Sequence, residues 1–138
     1  MARTSVEIAT SLDMAWMTLQ QLPTWEGVAG IEDLRDPHHD SIGNLMAFRF
    51  AMDTAVGRVD GRAQVRSARP GMTILAEQKG LEITLQVLLR HDGEQTRADV
   101  DARSKATTFF NKPLEMTLNA LLESSIQAEA AKIAGRLI

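Results

Sequence analysis

The feature that most constrains the fold is the stretch 111–138, which is predicted to form one long amphipathic helix. Its apolar residues recur mostly at steps of three and four, the spacing that lines one side of a helix. These residues are Leu114, Leu118, Leu121, Leu122, Ile126, Ile133 and Leu137. Asn111 is predicted to cap the helix, and Pro113 suits its first turn. Because such a helix is stabilised mainly by tertiary packing, another element must cover its apolar side.

The middle of the chain supplies that cover, because its side chains alternate between apolar and polar as they do in antiparallel strands. In the run 45–54, one face is predicted to carry Met46, Phe48, Phe50 and Met52. Val56 and Gly57 lead into the next run. The later runs cover 59–66, 72–76, 81–89 and 97–105, with turn signals at 69–71, 79–80 and 92–93. Successive hairpins with one solvent-exposed face and one buried face favour an antiparallel sheet over a βαβ fold.

The first part of the chain is predicted to hold a strand and a helical pair. Residues 5–9 alternate as a strand, and Ser11 is placed to cap a helix that contains Trp16 and ends before Pro23. The segments predicted next are a helical turn at 25–28, a strand at 31–35 and a turn at 37–41.

Composition narrows the classes of protein. The 138 residues fit one domain, 1–138, that can bury a core without disulfides or metal. The absence of cysteine excludes a disulfide scaffold and a cysteine nucleophile. Fifteen basic and eighteen acidic residues are interspersed, so no nucleic-acid surface is indicated. No apolar run approaches the roughly 18 residues that cross a bilayer, and no signal-peptide core is recognisable, so a cytoplasmic location is expected.

A metal site and a cofactor are not expected. His38 and His39 lie between Asp36 and Asp40, and imidazoles and carboxylates do bind zinc. Adjacent residues of an extended chain point apart, however, and no third histidine follows at a helical spacing. A solvated loop is the favoured interpretation.

Catalytic groups are equally sparse. The hydroxyls of Ser104, Thr107 and Thr108 are available, but the chain has no Gly-x-Ser-x-Gly motif. Alternation places Gln78 and Ser104 on the inner face, and neither is a good proton donor. Structural hydrogen bonding is therefore favoured over catalysis for both side chains, and no catalytic residue is predicted.

The order of elements resembles the START-like, or SRPBCC, helix-grip superfamily, in its polyketide cyclase and lipid-transport-like branch. The resemblance is carried by the opening strand at 6–9, the helix 11–22 with Trp16, Trp25 before Gly30, and then the meander and terminal helix. It implies an α+β domain in which a curved seven-stranded antiparallel sheet wraps around the C-terminal helix. It also implies a short helical pair after strand 1 and a hydrophobic cavity between sheet and helix.

Members of that superfamily bind lipids, hormones, polyketides or quinones, so the resemblance implies binding or transport of a small hydrophobic or amphipathic molecule. Small residues on two inner strands fit either a hollow or close helix packing, and the resemblance favours the hollow. The residues expected to contact a lipid-, polyketide- or quinone-like ligand are Trp25, Phe48, Phe50, Met52, Val59, Met72, Ile74, Gln78, Ile83, Leu85, Val100, Ser104, Leu114 and Leu118.

Two alternative functions and the roles of a few aromatic residues stay open. A polyketide cyclase, aromatase or dehydratase-like enzyme of this fold would work mainly by orienting its substrate. An interaction module would dock a protein through an exposed apolar patch around Met14, Met17 and Phe109. Trp25 is either a ligand contact or a buried hinge between helices, and Phe109-Phe110 is either a helix staple or part of an entrance. The sequence leaves the oligomeric state open.

Overall fold

The computed structural model describes residues 2–54 and 57–138. The expectation that Val56 leads into a strand lies outside the described residues. Two α-helices and seven strands make up the architecture within those ranges. They are β1 (Ala2–Ile8), α1 (Leu12–Leu19), β2 (Glu32–His39), β3 (Leu45–Thr54), β4 (Gly57–Ala68), β5 (Gly71–Gln78), β6 (Leu81–Asp92), β7 (Gln95–Ala106) and α2 (Lys112–Arg136). Short 3-10 turns lie at Leu22–Trp25, Val28–Gly30 and Phe109–Asn111.

The strands form one antiparallel sheet in the order β1-β7-β6-β5-β4-β3-β2. Each strand from β2 to β6 pairs with the next one along the chain, and β1 pairs with β7. α2 packs against β1 and β7 at one side of this sheet. The predicted α+β helix-grip architecture is therefore confirmed. No helix in the described ranges combines the length and hydropathy that a membrane span needs.

The predicted hairpins are confirmed. β6 and β7 pair from Leu81 opposite Ala106 to Asp92 opposite Gln95, which leaves Gly93 in the two-residue turn. Gly93 has a φ of 65°, a left-handed conformation that costs glycine little. The turns at 69–70 and 79–80 likewise separate β4 from β5 and β5 from β6.

Two local predictions are wrong in position. The helical turn predicted at 25–28 is divided into two 3-10 turns, because Gly27 is left-handed with a φ of 77°. The turn predicted from Pro37 begins only at Asp40, since β2 continues to His39. The poor alternation of β2 reflects shifts in its pairing with β3, where Asp33 and Asp36 also adopt positive φ.

The face assignment of β3 is correct for Phe48, Phe50 and Met52, which are buried, but wrong for Met46. Met46 is 48% exposed, whereas its neighbour Leu45 is fully buried. In the pairing with β2, His39 lies opposite Leu45 but His38 lies opposite Ala47, so β3 accommodates one extra residue there and the alternation of its faces is interrupted.

The terminal helix departs from its prediction in its first half. Leu122, Ile126 and Ile133 are buried as expected, but Leu114 is 37% and Leu121 57% exposed. Asn111 stands at the helix start, yet its side-chain amide donates to the carbonyl oxygen of Lys79 (3.3 Å) instead of capping the helix. The periodicity thus indicated a shared side of the helix, but not how much of that side is covered.

Candidate functional site

A groove of about 680 Å³ lies between the first half of α2 and the adjoining ends of β3, β4 and β5. Its surface is mostly apolar. The lining residues are Thr54, Val59, Gln78, Lys79, Gly80, Thr108, Phe110, Asn111, Pro113, Leu114 and Thr117. α2 packs on β1 and β7, which lie at the edge of the sheet opposite to β2 and β3. The first half of α2 therefore forms one wall of the groove and does not occupy the space over β3 and β4.

The wall is held in place by hydrogen bonds between α2 and β7. Oδ1 of Asn119 accepts from the backbone N–H of Ser104 (2.8 Å) and lies 3.0 Å from its hydroxyl oxygen. Nδ2 of Asn119 donates back to the carbonyl oxygen of Ser104 (3.2 Å), and Oε1 of Glu115 accepts from the N–H of Ala106 (3.0 Å). We call Ser104, Ala106, Glu115 and Asn119 the polar clamp. Its bonds satisfy backbone groups at the end of β7 that would otherwise be unpaired.

The clamp also affects a titratable group. The N–H of Ala106 and the ammonium of Lys112, which lies 3.3 Å from Oε2, hold the pKa of Glu115 below its ordinary value. Glu115 is therefore ionised more readily in the folded protein than in the unfolded chain.

The second half of α2 is tied to the helical linker instead. Glu129 accepts from the N–H of Ala29 (2.6 Å), and Lys132 donates to the carbonyl oxygen of Gly27 (3.0 Å). Arg136 donates to the carbonyl oxygens of Thr24 (2.9 Å) and Glu26 (2.6 Å). The helix is thus fixed at both ends, and the groove lies beside its first half.

The small residues of β4 leave space at one end of the strand but not in its middle. A Cβ on Gly61 would collide with the ring of Phe50, so the hollow expected there is filled by that ring. Further along, Val59 is only partly buried and lines the groove. Nε2 of Gln78 contacts the sulfur of buried Met52 (3.4 Å), which places a polar amide on the floor of the groove.

Gly80 lets the β5–β6 turn approach the start of α2. It has a φ of 80°, and a Cβ there would collide with the side-chain amide of Asn111. Its carbonyl oxygen accepts from the N–H of Thr107 (2.9 Å). Gly80, Thr108 and Asn111 all line the groove, so this close approach forms part of its wall.

Of the residues predicted to contact ligand, the groove brings together Val59, Gln78 and Leu114, with Met52 directly beneath. The others lie in the core, where contact with a ligand stays a prediction. These are Trp25, Phe48, Phe50, Met72, Ile74, Ile83, Leu85, Val100, Ser104 and the partly buried Leu118. Trp25 is buried and its Nε1 donates to the carbonyl oxygen of Leu19 (2.9 Å), as a hinge between helices would.

Sequence reasoning missed most of the polar lining, because all of it except Thr117 on α2 lies in turns and at strand ends. These residues are Thr54, Lys79, Thr108, Asn111 and Thr117. Alternation identifies the inner face of a strand but not which turns meet across it. The Phe109-Phe110 pair was the one available signal, and Phe110 does line the groove as the entrance hypothesis requires.

The chemistry of the lining is neutral apart from one amine. Lys79 is the single ionisable side chain among the described residues that line the groove. The histidines lie elsewhere: Nε2 of His39, for example, is 3.1 Å from the carbonyl oxygen of Gln20. Within the part of the chain that the structure describes, no three histidine or carboxylate side chains gather to hold a metal. This lining is suited to holding a molecule by apolar contact and neutral hydrogen bonds.

Comparisons with known proteins identify the fold. No protein-family model matches the sequence, and no curated protein matches it either. Among solved structures, a protein from Thermus thermophilus is similar, with a TM-score of 0.73 and 11% identity over 99% of this chain and 95% of that one. A START superfamily protein from Mycobacterium smegmatis gives 0.72 and 15% identity over the same shares of the two chains.

The Zhui aromatase/cyclase from Streptomyces sp. R1128 is also similar, with a TM-score of 0.65 and 14% identity over 99% of this chain and 92% of that one. At such identities the likeness concerns the fold, since one fold carries many functions. The sheet order, the terminal helix and these likenesses together show that the chain has the START-like, polyketide cyclase-like helix-grip fold.

Proposed function

We propose that the protein binds a small apolar or amphipathic molecule in the groove between the first half of α2 and the ends of β3, β4 and β5. The observation that carries this proposal is the mostly apolar space of about 680 Å³ beside the first half of α2, where Leu114 lines the space and is 37% exposed. Its size lies within the range of about 300–1,000 Å³ that is usual for small-molecule sites.

The apolar lining sets the expected strength of binding. A ligand that buries about 300 Å² of apolar surface gains roughly 7 kcal/mol at about 25 cal/mol per Å². Losses of translational and rotational freedom reduce this gain, so a dissociation constant in the micromolar range or weaker is expected.

The polar lining favours a ligand with few charged groups. Gln78 and Thr117 offer neutral hydrogen-bonding groups, and Lys79 offers one cation at the edge. A lipid-, polyketide- or quinone-like molecule has the matching distribution of a large apolar body and few polar groups. Molecules with several charges would lose hydration in this groove without finding partners.

A second candidate function is catalysis by substrate folding, as in an aromatase or cyclase. The likeness to the Zhui aromatase/cyclase favours it. In such a reaction the groove would hold a reactive chain in a productive conformation, and orientation would supply much of the rate. Turnover of a linear polyketide analogue, absent in a groove variant, would distinguish this candidate from binding alone.

The proposal is tested by titrating the protein with an uncharged fluorescent apolar probe such as Nile red. Leu114→Lys places a charge on the groove wall, and Leu121→Lys is the matched control on the exposed side of the same helix. We expect Leu114→Lys to weaken probe binding at least about tenfold, since a desolvated charge costs several kcal/mol. Leu121→Lys is expected to bind as the wild type does. Equal affinity of all three proteins would contradict the proposal.

A further inference from the structure

Two adjacent phenylalanines beside the groove are the most exposed large hydrophobic side chains of the described chain. Phe109 is 87% and Phe110 91% exposed, and their rings meet edge to face with centroids 6.4 Å apart. They occupy the 3-10 turn Phe109–Asn111 that leads into α2. Exposing two whole aromatic rings to water is unfavourable, so a partner that covers them would gain free energy.

Lysines surround this turn. The backbone of Lys79 is bonded to Asn111, and Lys112 follows Asn111 directly. Lys105, at the end of β7, is close enough to lower the pKa of Glu115. We call Phe109, Phe110, Lys79, Lys105 and Lys112 the aromatic–lysine tip.

The charged groups near the tip leave a small excess of positive charge. Glu115 faces Lys112 and is part of the polar clamp, and Glu82 lies opposite Lys105 in the β6–β7 ladder. Glu77 lies opposite Glu82 on one side and opposite Arg62 on the other. Arg62 and the three lysines therefore outnumber these three carboxylates by one, and the tip is cationic around an apolar centre. Aromatic rings at the centre and lysines at the flanks match the two layers of a membrane interface, apolar beneath and anionic above.

We propose that the aromatic–lysine tip docks on an anionic lipid surface, inserting Phe109 and Phe110 among the acyl chains while the lysines contact headgroups. A protein partner fits less well, because protein interfaces bury about 800 Å² on each side and are depleted in lysine. Because Phe110 also lines the groove, docking would turn the groove mouth towards the bilayer. This consequence, transfer of an apolar ligand between groove and membrane, rests on the proposed function, whereas docking itself does not.

The test is flotation of the full chain with vesicles of equal parts phosphatidylglycerol and phosphatidylcholine, compared with phosphatidylcholine alone. We expect the wild type to float with the anionic vesicles and much less with the neutral ones. Binding should fall towards the neutral value at about 1 M salt, where the Debye length is about 3 Å. A wild type that fails to float with anionic vesicles overturns the proposal.

Phe109→Ser tests the tip itself, since Phe109 is exposed and lies outside the groove lining. Met17→Ser is the matched control, because Met17 is an exposed hydrophobic residue on α1. We expect Phe109→Ser to lower vesicle binding at least about tenfold, the effect of withdrawing one phenylalanine from an apolar environment. Met17→Ser should bind as the wild type does. Equal vesicle binding by Phe109→Ser and the wild type overturns the proposal. The proposal is also overturned if the wild type forms a concentration-dependent dimer that Phe109→Ser abolishes.

A probe titration without vesicles separates this inference from the proposed function. Phe109→Ser is expected to bind the fluorescent probe with unchanged affinity. Probe binding by a wild type that does not float would overturn docking and leave ligand binding intact. Flotation by a wild type that binds no probe would confirm docking and contradict the groove.

Discussion

The two halves of α2 are stabilised in different ways. The second half buries Ile126 and Ile133 in the core and is tied to the helical linker through Glu129 and Arg136. The first half leaves Leu114 exposed and is held to β7 by the polar clamp. Burial fixes a helix by filling space, whereas a clamp fixes it while leaving space beside it. One helix can therefore support the core with one half and wall a groove with the other.

The largest effect is expected in the buried half. Ile133→Ala should lower the free energy of unfolding by about 3 kcal/mol, because it removes buried methylenes and leaves a cavity. Leu121→Ala, in the exposed half, should change it by less than about 0.5 kcal/mol. Urea unfolding of both variants measures the difference. Similar losses in the two variants would show that the halves do not differ in burial.

A smaller effect is expected at the polar clamp. Asn119→Ala leaves the backbone groups of Ser104 without their partner, so it should cost about 1–3 kcal/mol. Gln127→Ala is the matched control on an exposed position of the same helix and should be nearly neutral. If the clamp positions the groove wall, Asn119→Ala should also change the affinity for the fluorescent probe. Unchanged stability and unchanged affinity would show that the clamp neither stabilises the fold nor positions the groove wall.

The smallest effect depends on pH. The pKa of Glu115 is lowered in the folded protein, so the unfolded state binds its proton more tightly. The stabilisation is thus fully present above the ordinary pKa of 4.5 and is lost as the pH falls through the lower folded value. Glu115→Gln should therefore be less stable than the wild type at pH 7, and the difference should shrink in acid. Thermal unfolding between pH 7 and 3 measures it, and a difference independent of pH would contradict the assignment.

The same comparison explains what the sequence could predict. The alternation of apolar and polar residues and the turn residues predict the hairpins of β4 to β7, because each strand has one buried and one solvent-exposed face. Helical spacing located α2 but treated Leu114 and Leu122 alike, since periodicity shows which residues share a side and not what covers them. Asn111 occupies the N-cap position as predicted, but its side chain makes no capping hydrogen bond and donates instead to Lys79, a partner that only the fold brings near.

The site was predicted less completely than the fold. Val59, Gln78 and Leu114 were anticipated from parity and helical spacing, and they do line the groove. The small residues of β4 were compatible with a hollow or with filling, and Phe50 fills the space over Gly61. Whether the space is hollow or filled depends on the path of the neighbouring strand, and the pattern of residues along one strand does not show that path. The turn residues Lys79 and Thr108 entered the site through close approach of two loops.

Whether the groove holds a ligand is tested most directly by native mass spectrometry of freshly purified wild type and Leu114→Lys, before and after incubation with a mixed lipid and quinone extract. We expect a discrete added mass on the wild type that disappears on denaturation and is much reduced on Leu114→Lys. Bare masses for both proteins after incubation, or the same added mass on both, would contradict a ligand site beside the first half of α2.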